Sequence, residues 1–270
     1  MPHMNGRRTS EKRIQNCFPH ITIMWGGLAV ILLFSGCSEH PGLTAYRQRD
    51  YSASLREFRA ANDPLGSFAV GVMHYKGEGV TPDPQQAAVW FRRAAAMGHA
   101  GAQYNLGLLY LNGEGAPRDH QEAFRCFRQA AGQGHVNAQL NLALMYAQGD
   151  GVAKDLQETL RWFRLAADQG SHKAQVHLGE MFYRGEGVRK DRGEAARWFL
   201  MAATQGSAEA QIYLGMMYLR GQGVKKDRGE AEAWLRKAAA QGSGRAQQYL
   251  DQMSAPSKQE QVLSSSKEGH

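Results

Sequence analysis

The chain is poor in cysteine, which narrows the chemistry it can perform. Its 270 residues include three cysteines, Cys17, Cys37 and Cys126. Three separated cysteines do not make a disulfide framework, and their spacing fits no metal site. No nucleophile, base and orienting group occur together in a pattern that would indicate a hydrolase. We therefore expect no enzymatic activity, no cofactor and no bound metal.

An apolar run long enough to cross a membrane is missing from the amino terminus. Residues 21–34 form an apolar run of about 14 residues, whereas a spanning helix needs ~20. Basic side chains precede this run, at Arg7, Arg8, Lys12 and Arg13. A basic segment followed by a short apolar run is typical of an export signal.

The apolar run ends in Leu33-Phe34-Ser35-Gly36-Cys37, which resembles a bacterial lipobox. In a lipobox the cysteine is diacylated and becomes the first residue, so the resemblance implies a signal peptide at 1–36 and palmitate on Cys37. A plain signal peptide and an uncleaved anchor are the alternatives. Ser38 after the cysteine favours outer-membrane sorting by family analogy. We expect an outer-membrane lipoprotein that faces the periplasm or the cell surface.

Strong net charge is also lacking once this leader is removed. The whole chain has a formal charge of +7, but residues 37–270 hold 28 basic and 24 acidic side chains, a net of +4. No basic block with interleaved aromatic residues stands out. An exported protein of this kind is not expected to bind nucleic acid.

Glycine, by contrast, is abundant and recurs with a fixed period. The chain has 31 glycines, and three series of them are spaced 36 residues apart. The series are Gly77, Gly113, Gly149, Gly185, Gly221; Gly79, Gly115, Gly151, Gly187, Gly223; and Gly98, Gly134, Gly170, Gly206, Gly242. Five copies without an insertion predict a repeat protein whose copies stack on one another.

Each copy divides into two predicted helices. In the second copy, Ala102, Leu106, Leu109 and Tyr110 share one helical face, and a loop at about 112–118 follows. Asp119 then occupies an N-cap position, and Glu122 three residues later predicts a capping box. This interpretation makes the recurring acidic pairs helix caps and not acid–base dyads.

The second predicted helix buries five residues at helical spacing, namely Ala123, Cys126, Phe127, Ala130 and Ala131. Gly134 then ends the helix in a left-handed conformation. Gly107, inside the first helix, has a different role, because the third copy has Ala143 at that position. We expect small size to be the requirement there, so that two helices can pack closely.

The periodicity extends beyond the five full copies. It predicts a lone capping helix at Ala45 to Ala61 and a terminal half-helix at 243–253. The polar stretch after it is predicted to be disordered. The domains are therefore a signal peptide (1–36), a lipidated linker (37–44), a capping helix (45–62), a solenoid (63–253; repeats at about 63–98, 99–134, 135–170, 171–206 and 207–242) and a tail (254–270).

The repeat resembles a known family. Its pattern of Ala102, Leu106, Gly107 and Tyr110, then Ala123 and Phe127, resembles the tetratricopeptide repeat. The two extra residues in the Gly-x-Gly-Val loop, with Trp-Phe before Ala-Ala at residues 90–95, are similar to Sel1-like repeats. The resemblance implies an all-α, right-handed superhelical solenoid of helix-turn-helix hairpins that acts as a scaffold for protein complexes. A cysteine-rich branch of the family has been linked to β-lactam binding, but this chain lacks its paired cysteines.

Partner binding is expected where the copies differ, on the first helix of each hairpin. Three variable columns are spaced by 36 residues and are predicted to line a groove for a protein or peptide: Asn105, Asn141, His177, Tyr213; Leu108, Leu144, Glu180, Met216; and Asn112, Gln148, Arg184, Arg220. Amides can pair with a peptide backbone, and arginines suit carboxylates. Surface drift or ordinary packing between repeats is the alternative explanation. A glycan or peptidoglycan-associated binder is the alternative function, and a β-lactam hydrolase a remote one.

Overall fold

The computed structural model describes residues 40–254, and within that range it contains thirteen α-helices and no strand. They lie in one compact unit. The helices are α1 Pro41–Arg47, α2 Tyr51–Ala61, α3 Pro64–Lys76, α4 Pro84–Ala96, α5 Ala100–Asn112, α6 His120–Gly132, α7 Val136–Gln148, α8 Leu156–Asp168, α9 His172–Arg184, α10 Arg192–Thr204, α11 Ala208–Arg220, α12 Arg228–Ala240 and α13 Gly244–Ser254. No helix in this range is long and apolar enough to cross a membrane.

Helices α3 to α12 form five hairpins. We call α3, α5, α7, α9 and α11 the first helices, and α4, α6, α8, α10 and α12 the second helices. Each helix packs mainly on the helix before it and the helix after it. Such one-dimensional packing is that of a solenoid, so the predicted all-α solenoid of five hairpins is confirmed.

The recurring aspartates cap the second helices as predicted, but the capping box is incomplete. The Asp119 carboxylate accepts from the backbone N–H of Glu122 at 3.0 Å. The backbone N–H of Asp119 donates to the Tyr110 carbonyl at 2.9 Å, so it does not need the Glu122 side chain. That side chain instead pairs with Arg125 at 2.8 Å. The reciprocal half of the predicted box is therefore wrong, and a backbone bond between the two helices replaces it.

The Gly-x-Gly loops are shaped by contact with the preceding hairpin. Gly113 and Gly115 have φ values of 75° and 69°, which a residue with a side chain rarely adopts. A Cβ atom on Gly115 would lie 2.1 Å from the carbonyl oxygen of Pro84. The loop of one repeat therefore rests on the first turn of the previous second helix.

The glycine inside each first helix is required for close packing, as predicted. A Cβ atom on Gly107 would lie 2.7 Å from the ring of Phe127, which is fully buried. Gly71, Gly179 and Gly215 face Phe91, Phe199 and Leu235 in the same way. The ~1 kcal/mol helix penalty of glycine is offset by this contact. The predicted core residues of α6, including Cys126, are all buried.

A ladder of buried glutamines joins successive hairpins. Gln175, which is 1% exposed, donates through Nε2 to the carbonyl of Ala167 in the previous repeat at 3.2 Å. Its Oε1 accepts from Nε2 of Gln205 at 2.8 Å. Gln103 with Gln133, Gln139 with Gln169, and Gln211 with Gln241 repeat this arrangement. Each buried amide therefore links three helices.

The amino-terminal cap differs from its prediction. Instead of one helix over Ala45 to Ala61, the chain forms α1 and α2, and Arg49 between them has a φ of 62°. The Asp50 side chain caps α2 by accepting from the N–H of Ala53 at 2.9 Å, which starts a new helix. Asn62 adopts the predicted left-handed conformation, with a φ of 50°. At the other end, α13 forms the expected half-repeat.

Two histidines act as helix caps, a role that the sequence analysis did not assign. Nδ1 of His99 accepts from the backbone N–H of Ala102 at 3.1 Å, and its ring stacks on Phe68 with centroids 4.3 Å apart. His135 caps α7 in the same way and stacks on Tyr104. Burial lowers the pKa of each histidine to about 4. The next two first helices are capped by serines.

These lowered pKa values make stability depend on pH. Neutral histidine is favoured in the fold, so its contribution is complete above the unfolded pKa of about 6.5 and is lost as the pH falls towards 4. We expect the double variant His99→Ser, His135→Ser to lose less unfolding free energy over that interval, by about 2 kcal/mol per histidine. Urea unfolding at pH 7, 5.5 and 4.5 measures this. The exposed His172→Ser serves as control, and equal pH slopes for wild type and double variant would contradict the cap.

The ladder predicts that substitution of a buried glutamine lowers the unfolding free energy more than substitution of an exposed glutamine. Gln175→Leu removes two hydrogen bonds, one to the Ala167 carbonyl and one from the Gln205 amide, so we expect a loss of about 1–3 kcal/mol. Gln129→Leu, on an exposed position of α6, should change stability by less than about 0.5 kcal/mol. Urea unfolding followed by circular dichroism compares the two. Equal losses would show that the ladder does not join the hairpins.

Candidate partner-binding surface

The three predicted columns lie on α5, α7, α9 and α11, and we call them together the first-helix face. The structure gives the columns different degrees of exposure. The first column (Asn105, Asn141, His177, Tyr213) and the second (Leu108, Leu144, Glu180, Met216) are half-buried. The third (Asn112, Gln148, Arg184, Arg220) is exposed.

The first column also packs hairpins together. The His177 ring stacks on Phe163 of the preceding repeat with centroids 4.8 Å apart, and Tyr213 stacks on Phe199 at 4.6 Å. The Asn141 side chain lies near the Tyr104 hydroxyl of the preceding repeat. One face of each such side chain is therefore committed to the fold, and the polar edge is what a partner could contact.

One carboxylate brings members of all three columns together. Glu180 accepts from the Tyr213 hydroxyl, lies 3.6 Å from Nδ1 of His177 and pairs with Arg184 at 3.4 Å. These residues come from α9 and α11, so the cluster bridges two repeats. The sequence placed its members in one surface but did not show that they touch. We call these four residues the Glu180 cluster.

The cluster holds its carboxylate ionised. The neighbouring His177 imidazole lowers the pKa of Glu180, and Tyr213 and Arg184 act in the same direction against burial. Burial, then the hydrogen bond to Glu180, raises the pKa of Tyr213 to about 12. At neutral pH the cluster therefore presents a fixed anion with a neutral phenol as its donor.

The two arginines of the third column differ in availability. Arg184 is held by Glu180 and also lies 3.6 Å from Glu186. Arg220 is exposed, and no acidic side chain among residues 40–254 pairs with it. Arg220 is thus the arginine of this column that remains open to a carboxylate from outside the chain.

The corresponding positions of the earlier repeats are neutral. Asn105 and Asn141 replace the histidine and tyrosine, and Leu108 and Leu144 replace Glu180. Both leucines pack partly against the core while keeping some exposure. Chemistry therefore changes along the face, from amide and apolar groups to charged and aromatic groups.

A fourth variable column was missed by the sequence analysis. Tyr75 donates to Glu114 of the next loop at 2.8 Å, and Tyr183 donates to Gln222 at 2.6 Å. These tyrosines lie beside the third column and tie a first helix to the following loop. The signal that would have found them is a further 36-residue series: Tyr75, Leu111, Ala147, Tyr183, Leu219.

Reactive groups elsewhere do not form a site. Cys126 occupies a buried core position, and burial raises the pKa of its thiol to about 11, so the nucleophilic thiolate is disfavoured at neutral pH. Within residues 40–254 no group of three or more histidine, cysteine or acidic side chains could hold a metal ion. His99 and His135, which are one repeat apart, are used as helix caps.

Comparison with known proteins agrees with this geometry. Five consecutive segments match the Sel1 repeat, at residues 64–99, 100–135, 136–171, 172–207 and 208–243. These bounds lie one residue after those predicted from the sequence. A comparison with curated proteins finds no match.

Two of the solved structures that resemble this chain share more than 30% identity with it. One is c5321, described as a protective antigen present in uropathogenic Escherichia coli strains, which is 39% identical with a TM-score of 0.72 over 74% of this chain. The present chain spans only 43% of that antigen. The other is a Sel1 repeat protein from Oxalobacter formigenes, 31% identical with a TM-score of 0.74, covering 77% of this chain and 87% of its own.

Proteins built from Sel1 repeats are mostly non-enzymatic and generally act as scaffolds for protein–protein interaction. The matched segments take in every hairpin from α3 to α12. The chain belongs to the Sel1 repeat family.

Proposed function

We propose that the chain is a scaffold of the bacterial cell envelope, tethered by a lipid on Cys37, that binds a protein partner through its first-helix face. The tether is proposed from the basic segment, the short apolar run and Leu33-Phe34-Ser35-Gly36-Cys37. Those residues lie outside the described range, so the support for the tether is the sequence pattern alone. Periplasm or cell surface is the proposed location, with outer-membrane sorting favoured by Ser38.

The Glu180 cluster is the observation that carries the binding proposal. The aspartate caps, the loop glycines and the ladder recur in nearly identical form, while the first-helix face changes its chemistry between the third and fourth repeats. The cluster spans two hairpins and keeps an ionised carboxylate beside aromatic edges. Such a fixed polar group in an extended surface suits the orientation of a polypeptide ligand.

The rest of the face supplies the complementary properties. Leu108, Leu144 and Met216 keep some exposure and offer apolar contact. The amides of Asn105 and Asn112 offer both donors and acceptors for a peptide backbone. Small apolar areas beside fixed polar groups are the usual composition of a protein-binding surface.

The face can be tested with a variant that keeps its packing. In the triple variant Asn141→Ser, His177→Phe, Tyr213→Phe, both aromatic stacks remain and the polar edges are removed. We expect the partner captured by crosslinking pull-down from envelope fractions to fall at least tenfold. The rings still fill their sites, so the loss of unfolding free energy should stay at about 1–2 kcal/mol, from the two contacts to Glu180, and the variant should fold.

The matched control is Gln129→Ser, Leu165→Ser, Met201→Ser, three exposed positions spaced by 36 residues on the second helices. It should retain the partner. Capture that is unchanged in the first-helix triple would refute the proposed face. Retention released by a soluble saccharide would instead indicate the glycan-binding alternative.

The lipid tether has its own test. Cys37→Ser should abolish incorporation of labelled palmitate and move the protein from the membrane fraction to the soluble fraction, because the acylated sulfur is absent. Cys17→Ser, a cysteine inside the proposed leader, should leave both unchanged. Labelling that persists without Cys37 would show that this cysteine is not the attachment site.

A further inference from the structure

The loops that join first and second helices become basic towards the carboxyl end. In the first three repeats, segments 76–84, 112–120 and 148–156 each carry one basic and two acidic side chains, a net of −1. Segment 184–192 carries four basic and two acidic side chains, a net of +2. Segment 220–228 carries four basic and one acidic, a net of +3. The change is confined to one edge of the last two hairpins.

Four cations of these loops are exposed and unpaired. Arg189, Lys190, Lys225 and Lys226 have no acidic partner among residues 40–254. We call these four residues the basic loop edge. None of them belongs to the first-helix face.

The acidic residues nearby are already engaged. The carboxylates of Asp191 and Asp227 accept from the backbone N–H groups of Glu194 and Glu230, both at 3.0 Å, as helix caps. The fifth loop has Gln222 where earlier loops have an acid. The cations are therefore left for a ligand from outside the chain.

The two basic loops are adjacent in space. A Cβ atom on Gly223 would lie 2.1 Å from the carbonyl oxygen of Arg192, the residue that opens α10 directly after the fourth loop. Within the loops, the Cβ atoms of Lys190 and Lys226 lie beside Gly185 and Gly221 at nearly equal distances, 3.1 and 3.2 Å from a Cβ built on each glycine. The placement of the lysine side chain relative to its loop is thus repeated one hairpin apart.

The apolar residues of these loops are turned inwards. Val188 and Val224 are half-buried and pack against the core of the fourth and fifth hairpins. Surfaces that bind membranes combine basic residues with inserted apolar side chains, and single-stranded nucleic acids need stacking aromatics. The basic loop edge exposes neither apolar side chains for insertion nor aromatic side chains for stacking. An anionic polypeptide is therefore the better match to this edge.

We propose that the basic loop edge binds an extended acidic polypeptide segment with a carboxylate at about every third residue. Packed helices lie ~8–10 Å apart, and each loop rests on the first residue of the helix that follows the previous loop, so equivalent loops are on the order of 10 Å apart. An extended chain advances ~3.3 Å per residue, so carboxylates three residues apart meet successive loops. This inference rests on the proposed scaffold function and adds to it a second surface, which binds an acidic polypeptide segment.

The test uses a fluorescein-labelled 12-residue peptide with glutamate at every third position and serine or glycine between. Binding of the peptide to the full-length protein is measured by fluorescence anisotropy in 20 mM and 150 mM salt. We expect wild type to bind and its affinity to fall as salt rises. The quadruple variant Arg189→Ser, Lys190→Ser, Lys225→Ser, Lys226→Ser should bind at least tenfold more weakly at low salt.

The charge-matched control is Arg56→Gln, Arg92→Gln, Arg128→Gln, Arg164→Gln, which removes four exposed cations from the second-helix side and α2. It should bind within about twofold of wild type, with circular dichroism confirming that both variants fold. A peptide with its four glutamates in one block should bind more weakly than the spaced peptide. Equal binding by the two variants, or by the two peptides, would overturn the proposal.

Two further probes decide the occupant. Phosphatidylglycerol vesicles and an oligothymidine of equal charge should compete more weakly than the spaced peptide, and tighter binding of either would overturn the polypeptide assignment. The first-helix triple variant should bind this peptide normally. Failure of the loop edge and failure of the first-helix face are therefore distinguishable.

Discussion

The buried glutamine ladder is the interaction on which the stack depends. Each rung satisfies a carbonyl at the end of the previous second helix and an amide at the end of its own. A buried amide left without partners is costly, so each hairpin can pack on the next in only one register. That register aligns positions 36 residues apart into columns, and the columns make the surfaces. The first repeat, with Ser67 and Met97 where a rung would be, shows the ladder ending as α2 takes over the packing.

The binding function then depends on the side chains that vary on the surface of this repeated framework of caps, loops and glutamine ladder. The frame repeats the same local interactions from hairpin to hairpin, while two surfaces gain basic residues in the later hairpins. On one surface Arg184 is paired with Glu180 and Glu186 and Arg220 is unpaired, and on the other all four cations are unpaired. The same fold can therefore offer a neutral, amide-rich end and a charged end to different parts of a ligand. No reactive group is needed for either role.

Those features that depend on local chemistry could be predicted from the sequence, because glycine at positive φ and aspartate at an N-cap act within a few residues. The hairpins, loops and close-packing glycines are confirmed for this reason. The ladder was missed, since Gln175 and Gln205 are 30 residues apart and glutamine is ordinarily a surface residue. The cap of His99 was missed because histidine is an uncommon N-cap. The Glu180 cluster needs two packed hairpins, so its column members could be named but not joined.

Removal of one whole repeat tests most directly whether each hairpin packs on its neighbour through the same set of contacts. Deletion of residues 136–171, one matched Sel1 segment, would place His135 before α9 and keep every remaining glutamine opposite its partner type. Urea unfolding and circular dichroism would compare this chain with one that lacks residues 136–169. The frame described above predicts a cooperatively folded protein for the 36-residue deletion and a strongly destabilised one for the shorter deletion. Equal stability of the two, or loss of folding in the first, would contradict it.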